Sequence, residues 1–177
     1  MSKIARYEDI PMFTREGSWE CDYPLHHAVV TIREWADEDG LILDPDFQRA
    51  HVWTEAQQIA WIEFFLRGGK TGRVIYFNHP GWMRNWKGEF VVVDGKQRLR
   101  AMMRFFDNEI PAFGTLYRDF EDNPRMIRNT IKFNVNDLKT RAEVLQWYID
   151  FNAGGTPHSE EEISRVRELL EMEEGKP

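Results

Sequence analysis

The sequence predicts a single α+β domain. Short apolar segments rich in β-branched residues, such as Val91–Val93, have the length and composition of buried strands. Longer segments carry apolar residues three and four positions apart, which is typical of amphipathic helices. The chain has 177 residues, of which 14% are aromatic, so it is long enough to bury a core and too aromatic for a disordered protein.

The composition favours a cytoplasmic protein without a membrane partner. No apolar run approaches the roughly eighteen residues that a membrane-spanning helix needs, and the first residues lack the apolar core of a signal peptide. Cys21 is the single cysteine, which fits a reducing compartment. The formal charge of −7 argues against loose, charge-driven binding of DNA, although a local basic pocket remains compatible with it.

Local signals divide the chain into an irregular N-terminal segment, residues 1–24, and one domain over residues 25–177 that ends in an acidic helix. The run His26–Thr31 is interpreted as a strand, followed by a short helix that Thr31 caps and that continues to Glu38. Thr54 and Gln57 form a capping-box pattern, which predicts a helix that continues to Arg67.

Further elements follow in the second half of the chain. Arg73–Phe77 has the composition of a strand, and the alternation in Met126–Val135 predicts a strand at a sheet edge. Thr140 and Ser159 each stand three residues before a glutamate and are expected to cap two more helices.

The central feature is a strand that turns into a helix. Phe90–Val93 predicts a buried strand. Asp94 and Gly95 predict a turn, and the residues after Gly95 predict a helix. The first N–H groups of a helix lack intrahelical acceptors and lie at the positive end of its dipole, so such a corner binds anions. Gly95 lets a ligand approach the backbone, and Lys96 and Arg98 add positive charge. We therefore predict a phosphate site here.

A structural interpretation of the same residues stands beside this one. Asp94 and Gln97 also fit a capping box, in which each side chain bonds a backbone N–H at the helix start. The two roles can coexist. In the functional interpretation, Asp94 and Gln97 hold a metal ion or a water molecule.

Two other polar segments are candidates for contact with a ligand. In the loop between Asp44 and Trp53, Arg49 has the planar donor fork suited to phosphate, and Gln48 can donate or accept. Trp53 can stack on a base, although anchoring the next helix is the more ordinary role. The segment that begins at Asn152 and contains Thr156 is longer than a helix C-cap requires.

These three segments resemble, in order, the signatures of a bacterial and phage family marked by a D-G-Q-Q-R motif. That family includes the first half of GmrSD-type restriction enzymes and belongs with ParB and sulfiredoxin. The resemblance covers roughly residues 25–170 and is carried by Asp44–Arg49 with Val52–Trp53, Asp94–Leu99 and Phe151–Pro157.

The resemblance implies a ParB/sulfiredoxin-like fold, in which a small mixed sheet or partly open barrel is flanked by helices. It also implies a nucleoside triphosphate site. Carried over, Arg49 and Arg98 hold phosphates, and Asp94 and Gln97 serve Mg²⁺ or the attacking water, with Asp94 as the metal ligand. The residues expected to border or bind the nucleotide are Gln48, Trp53, Gly95, Lys96, Asn152 and Thr156.

Lys96 departs from the family signature, which usually has glutamine there, and the change favours phosphate binding over positioning of water. The turn has no cysteine, so the peroxiredoxin repair of sulfiredoxin is rejected. No H-N-H nuclease motif occurs among the 177 residues, which makes intrinsic DNA cutting less expected.

The resulting expectation is an Mg²⁺-dependent nucleoside triphosphate hydrolase linked to phage or defence-system DNA processing. Its partners would be the nucleotide and either DNA or a nuclease protein. Two alternatives stay open: a phosphodiesterase that cuts DNA with the same pocket, and a non-catalytic regulatory or partner-binding protein.

Overall fold

The computed structural model of the protein describes residues 4, 19–48, 53–122, 129–153 and 160–175. These residues form four strands, five α-helices and a short 3₁₀ turn. The strands are β1 (Trp19–Pro24), β2 (Val74–Asn78), β3 (Val91–Asp94) and β4 (Thr130–Asn136). The helices are α1 (Leu25–Asp37), α2 (Glu55–Leu66), α3 (Lys96–Phe106), α4 (Arg141–Ala153) and α5 (Glu160–Glu174).

The strands form one open sheet in the order β1-β4-β2-β3. β4 runs antiparallel to β1, with Phe133 opposite Cys21, and parallel to β2, with Phe133 opposite Ile75. β2 and β3 are antiparallel, and their register shifts between Tyr76 and Phe77. The predicted α+β class with a small mixed sheet is therefore confirmed.

Helices cover both faces of this sheet. Successive residues of a strand point to opposite faces, so Val92 joins the core that includes residues of α1, α2 and α3. Val91 and Val93 join the second core, with residues of α4 and α5. On the first face the ring of Trp35 is central, with Phe77, Phe90, Phe133 and Trp82 at centroid distances of 5.2–5.4 Å.

The prediction for the first forty residues is wrong in two places. Trp19–Pro24 forms β1 instead of irregular chain, and His26–Thr31 lies within α1 instead of a strand. The spacing of the buried residues explains the helix, since positions i, i+3, i+4 and i+7 share one face. The buried residues of α1 are Leu25, Ala28, Val29, Ile32 and Trp35.

β4 is not the predicted edge strand, because it lies between β1 and β2. The side of β4 that was predicted to be an edge is covered by β1, a segment in which no strand was predicted. The strand begins at Thr130, and residues 126–128 of the segment predicted to be a strand lie outside the described residues.

The capping signals are confirmed where the structure describes them. The Gln57 N–H donates to Thr54 Oγ1 at 3.3 Å, and the Thr54 N–H donates to Gln57 Oε1 at 2.8 Å. The Glu143 N–H donates to Thr140 Oγ1 at 3.2 Å, and the Thr140 N–H donates to Glu143 Oε2 at 3.0 Å. Ser159 lies outside the described residues.

None of the helices in the described part of the chain has both the length and the apolar character that crossing a bilayer requires.

Candidate functional site

The corner between β3 and α3 has the predicted strand–turn–helix geometry. Gly95 is the N-cap residue of α3 and is left-handed, with φ +103°. A Cβ added there would lie 2.5 Å from Ile75 Cδ1, so both the backbone and the packing require glycine. Gly95 has no side chain to cap the helix, and the first turn contains no acidic residue. The positive end of the helix dipole is therefore not offset by a residue of the helix itself.

Asp94 binds Arg98 and does not cap the helix. Arg98 Nη2 donates to Asp94 Oδ2 in an ion pair across one helical turn. The side chains are 28% exposed for Asp94 and 15% for Arg98. The capping-box interpretation of Asp94 and Gln97 is therefore wrong. Asp94 remains part of β3, opposite Tyr76, and the left-handed turn shifts the N-cap to Gly95.

Lys96 has a different acidic partner. Its ammonium forms an ion pair with Asp44, and its side chain is 10% exposed against 70% for Asp44. Residues two apart on a helix are about 200° apart around its axis, so Lys96 and Arg98 lie on opposite sides of α3. From the sequence, both were predicted to be cations of one phosphate site. The structure instead gives each its own carboxylate at the helix start.

The loop before α2 reaches the same corner. Gln97 Oε1 accepts a hydrogen bond from the Trp53 N–H at 3.2 Å. Gln48 Nε2 donates to the Val92 carbonyl at 2.7 Å. The ring of Trp53 lies 6.4 Å from that of Trp61, and its carbonyl accepts from Gln58 Nε2 at 3.2 Å. These contacts support the anchoring role of Trp53.

Three of the expected site residues are not placed in the site. Arg49 and Thr156 lie outside the described residues. Asn152 belongs to α4 and not to a loop, and its side chain is outside the described part of the structure. Their roles at the nucleotide stay predictions.

Tyr76 stands beside Asp94 on the neighbouring strand. Burial raises the pKa of Tyr76, and the negative charge of Asp94 raises it further. The phenol is therefore a neutral group beside the Asp94–Arg98 pair, able to donate a hydrogen bond but not to act as a base near neutral pH. Sequence reasoning missed Tyr76, because no local signal shows that β2 pairs with β3 at this residue.

A second ion pair holds the loop in which Gln48 stands. A hydrogen bond from Arg141 is the main cause that lowers the pKa of Asp46. Arg165 Nη2 donates to the carbonyls of Asp46 at 2.7 Å and Gln48 at 3.3 Å. The loop is thus held by α4 and α5, two helices that lie far from it in sequence.

The donor set at the corner fits only a particular kind of metal site. Among the described residues, no group of three or more His, Cys, Asp or Glu side chains is arranged to hold a metal ion. Asp94 offers one carboxylate, which Arg98 already binds. Such a corner suits Mg²⁺ held chiefly by phosphate and water oxygens, with one protein ligand. It does not suit a preformed, all-protein site.

Comparison with known proteins gives one family. The model of the family described as GmrSD restriction endonuclease, N-terminal domain, matches residues 32–129, more than half of the chain. The match contains the corner and the Asp44–Trp53 loop but not the third segment, Phe151–Pro157. Neither the curated proteins nor the solved structures gave a match.

Proposed function

Since the chain belongs to the family of GmrSD restriction endonuclease N-terminal domains, we propose that it binds a nucleoside triphosphate and hydrolyses its terminal phosphate with Mg²⁺. The family makes it a restriction-associated domain, linked to phage or defence-related DNA processing. The supporting observation is the start of α3, where Gly95 leaves the helix without a capping side chain and two cations flank its positive end.

Binding would proceed by exchange of partners. Arg98 is held by the Asp94 carboxylate, and Lys96 by Asp44. An incoming triphosphate offers stronger negative charge and several acceptor oxygens, so it can replace a carboxylate at each cation. Arg49, which follows Gln48 directly in the sequence, would add a second guanidinium.

The same exchange would release Asp94 for the metal. When Arg98 turns to the phosphates, the Asp94 carboxylate becomes available as the single protein ligand of Mg²⁺. The metal would neutralise the negative charge that develops on the phosphate oxygens. Gln97, held through its side-chain oxygen by the Trp53 N–H, would orient the attacking water through its NH₂ group.

Catalysis of this kind is mainly positioning and stabilisation of charge. An arginine directed at the transferring phosphoryl group contributes on the order of a thousandfold or more. Arg98 is the described residue suited to that role, because its guanidinium is already held beside the helix start. Lys96, a point charge, would bind phosphate without this directional effect.

The direct test is a thermal-shift panel of nucleoside tri- and diphosphates with and without Mg²⁺, paired with an assay of phosphate release. A nucleotide at a hundred times its Kd stabilises the fold by about 2.7 kcal/mol. For a chain of this size that corresponds to a rise in Tm of about 5–10 °C. A panel in which no nucleotide raises Tm would contradict the proposal.

The nuclease alternative has less support in the geometry. A phosphodiesterase without a bound triphosphate would need protein ligands to hold its metal, and among the described residues no group of three or more His, Cys, Asp or Glu side chains is arranged to do so. Incubation of plasmid DNA with the protein and Mg²⁺ or Mn²⁺ separates the two activities, since nicking without nucleotide belongs to the nuclease.

A further inference from the structure

A cleft of about 280 Å³ lies along the outer side of α3, next to the phosphate corner. Its helical wall is formed by residues that recur every three or four positions and therefore share one face. They are Lys96, Leu99, Arg100, Met103, Arg104 and Asp107. The lining is completed by Leu43 and Asp44, from the loop that follows α1, and by Glu109, beyond the end of α3.

We propose that this cleft binds the base and sugar of the nucleotide whose phosphates occupy the start of α3. The inference rests on the proposed function, because it places the base and sugar of the same nucleotide whose phosphates are proposed to bind at the corner.

The cleft is continuous with the corner through one residue. Lys96 is the first residue of α3 and also lines the cleft, while Asp107 is the C-cap residue at the other end of the helix. Eleven residue steps at 1.5 Å each give about 16 Å of helix between them. A ligand with its phosphates at the start of α3 can therefore extend along the helix without leaving the protein surface.

The charges of the cleft suit a neutral group. Its lining has three cations and three carboxylates, and most are committed to partners: Lys96 to Asp44, Arg104 to Glu109 at 2.8 Å, and Asp107 to Arg33. The net charge of the lining is therefore zero. Phosphate belongs at the corner, where the helix dipole adds positive charge, and the uncharged nucleoside belongs in the cleft.

The surface of the cleft also matches a nucleobase. Leu43, Leu99 and Met103 supply apolar contact for the flat faces of a ring. Arg100 is exposed and forms no ion pair within the described part of the chain. A guanidinium in that state can stack on a base or bond its edge. Asp107 and Glu109 each pair with an arginine. Their carboxylates still have oxygen lone pairs that can accept hydrogen bonds from amino groups on the base.

The size of the cleft limits the occupant. Sites for small ligands usually measure about 300–1,000 Å³, so 280 Å³ has room for one nucleoside and little more.

The test separates the two parts of the ligand. Isothermal titration with tripolyphosphate reports the corner alone, and titration with ATP, GTP, CTP and UTP reports the corner and the cleft together. We expect at least one nucleotide to bind more tightly than tripolyphosphate. Met103→Trp fills the cleft and should weaken that nucleotide by about tenfold or more while the affinity for tripolyphosphate stays unchanged.

The matched control is Met172→Trp, the same change at a methionine that is 59% exposed on α5, which should alter neither affinity. Arg100→Ala serves as a second variant that adds no bulk, in case tryptophan at position 103 prevents folding. It should weaken the nucleotide several-fold and leave tripolyphosphate binding intact.

Two results would overturn the inference in different ways. If every nucleotide binds no more tightly than tripolyphosphate, or if both cleft variants bind nucleotide like the parent, the cleft is not the nucleoside site although the phosphate corner stands. If neither tripolyphosphate nor any nucleotide binds, the proposed function fails and the cleft assignment falls with it.

Discussion

The nearly buried ammonium of Lys96 forms an ion pair with the carboxylate of Asp44, which is 70% exposed. The free energy of losing the ion pair therefore differs between the two partners. A buried ammonium without a partner is costly, whereas an exposed carboxylate is readily solvated by water. An anion that replaces Asp44 would keep Lys96 neutralised, and Asp44 would move into solvent.

Replacing Asp44 with asparagine should strengthen the binding of tripolyphosphate by several-fold, because the competing carboxylate is removed. The same change should lower the free energy of unfolding without ligand, since Lys96 loses its charged partner. Isothermal titration and urea unfolding measure the two effects. Asp37→Asn, the same charge change at an exposed position at the end of α1, should leave phosphate affinity near that of the parent. Weaker binding by the Asp44 variant than by this control would contradict the exchange.

Arg98→Ala should abolish nucleotide binding, because it removes the guanidinium that Asp94 holds beside the start of α3. Asp94→Asn should retain binding and lose turnover, because the amide cannot serve as a carboxylate ligand. Titration calorimetry and phosphate release distinguish these outcomes. Arg118→Ala removes an arginine whose side chain is 67% exposed and should change neither. An Arg98 variant that binds like the parent would show that the phosphates lie elsewhere.

Gly95→Ala should destabilise the fold more than Gly40→Ala. Both glycines have positive φ, but a Cβ at Gly40 meets nothing within 4 Å, while at Gly95 it would lie 2.5 Å from Ile75 Cδ1. The left-handed backbone alone costs about 1–2 kcal/mol, and overpacking the buried Ile75 adds about 1–3 kcal/mol. Urea unfolding measures both variants.

Adding Ile75→Val removes the Cδ1 atom and should return part of the loss in the Gly95 variant, a coupling that a double-mutant cycle quantifies. Equal losses for the Gly40 and Gly95 variants would show that the packing at the corner is looser than the distances indicate.

Stability should fall as the pH is lowered through the titration of His79. Burial lowers the pKa of His79, an effect that the charge of Asp39 opposes without cancelling. Its Nδ1 accepts a hydrogen bond from the Gly81 N–H at 3.0 Å, which requires the neutral ring. Because the folded pKa lies below the unfolded value of about 6.5, the full stability is present above that value. It is lost as the pH falls toward the folded pKa.

Urea unfolding at about pH 7.5 and about pH 5.5 measures this loss. His79→Asn keeps an acceptor oxygen near the Gly81 N–H but cannot titrate, so it should be less stable at both pH values and show a smaller difference between them. An unchanged pH difference in this variant would assign the effect to other groups.

Local sequence was sufficient where the determining contacts are local. The capping boxes of Thr54 and Thr140 join residues three apart, and Gly95 marks a turn that other residues rarely adopt. Those signals correctly gave α2, α4 and the β3–α3 corner. The prediction that Asp94 caps α3 was wrong, because the same carboxylate can either cap the helix or pair with Arg98. In the structure it pairs with Arg98.

The corner follows from local sequence alone, as an apolar strand, a glycine turn and a helix that begins with two cations. Packing between distant segments sets which carboxylate each cation binds, places β4 inside the sheet, and forms the cleft that continues from Lys96 along α3. These depend on pairings between distant segments, such as Trp19 with Val135 and Asp44 with Lys96. The physical reason is that such pairings form when a whole core packs together, and no single segment carries the information for its partner.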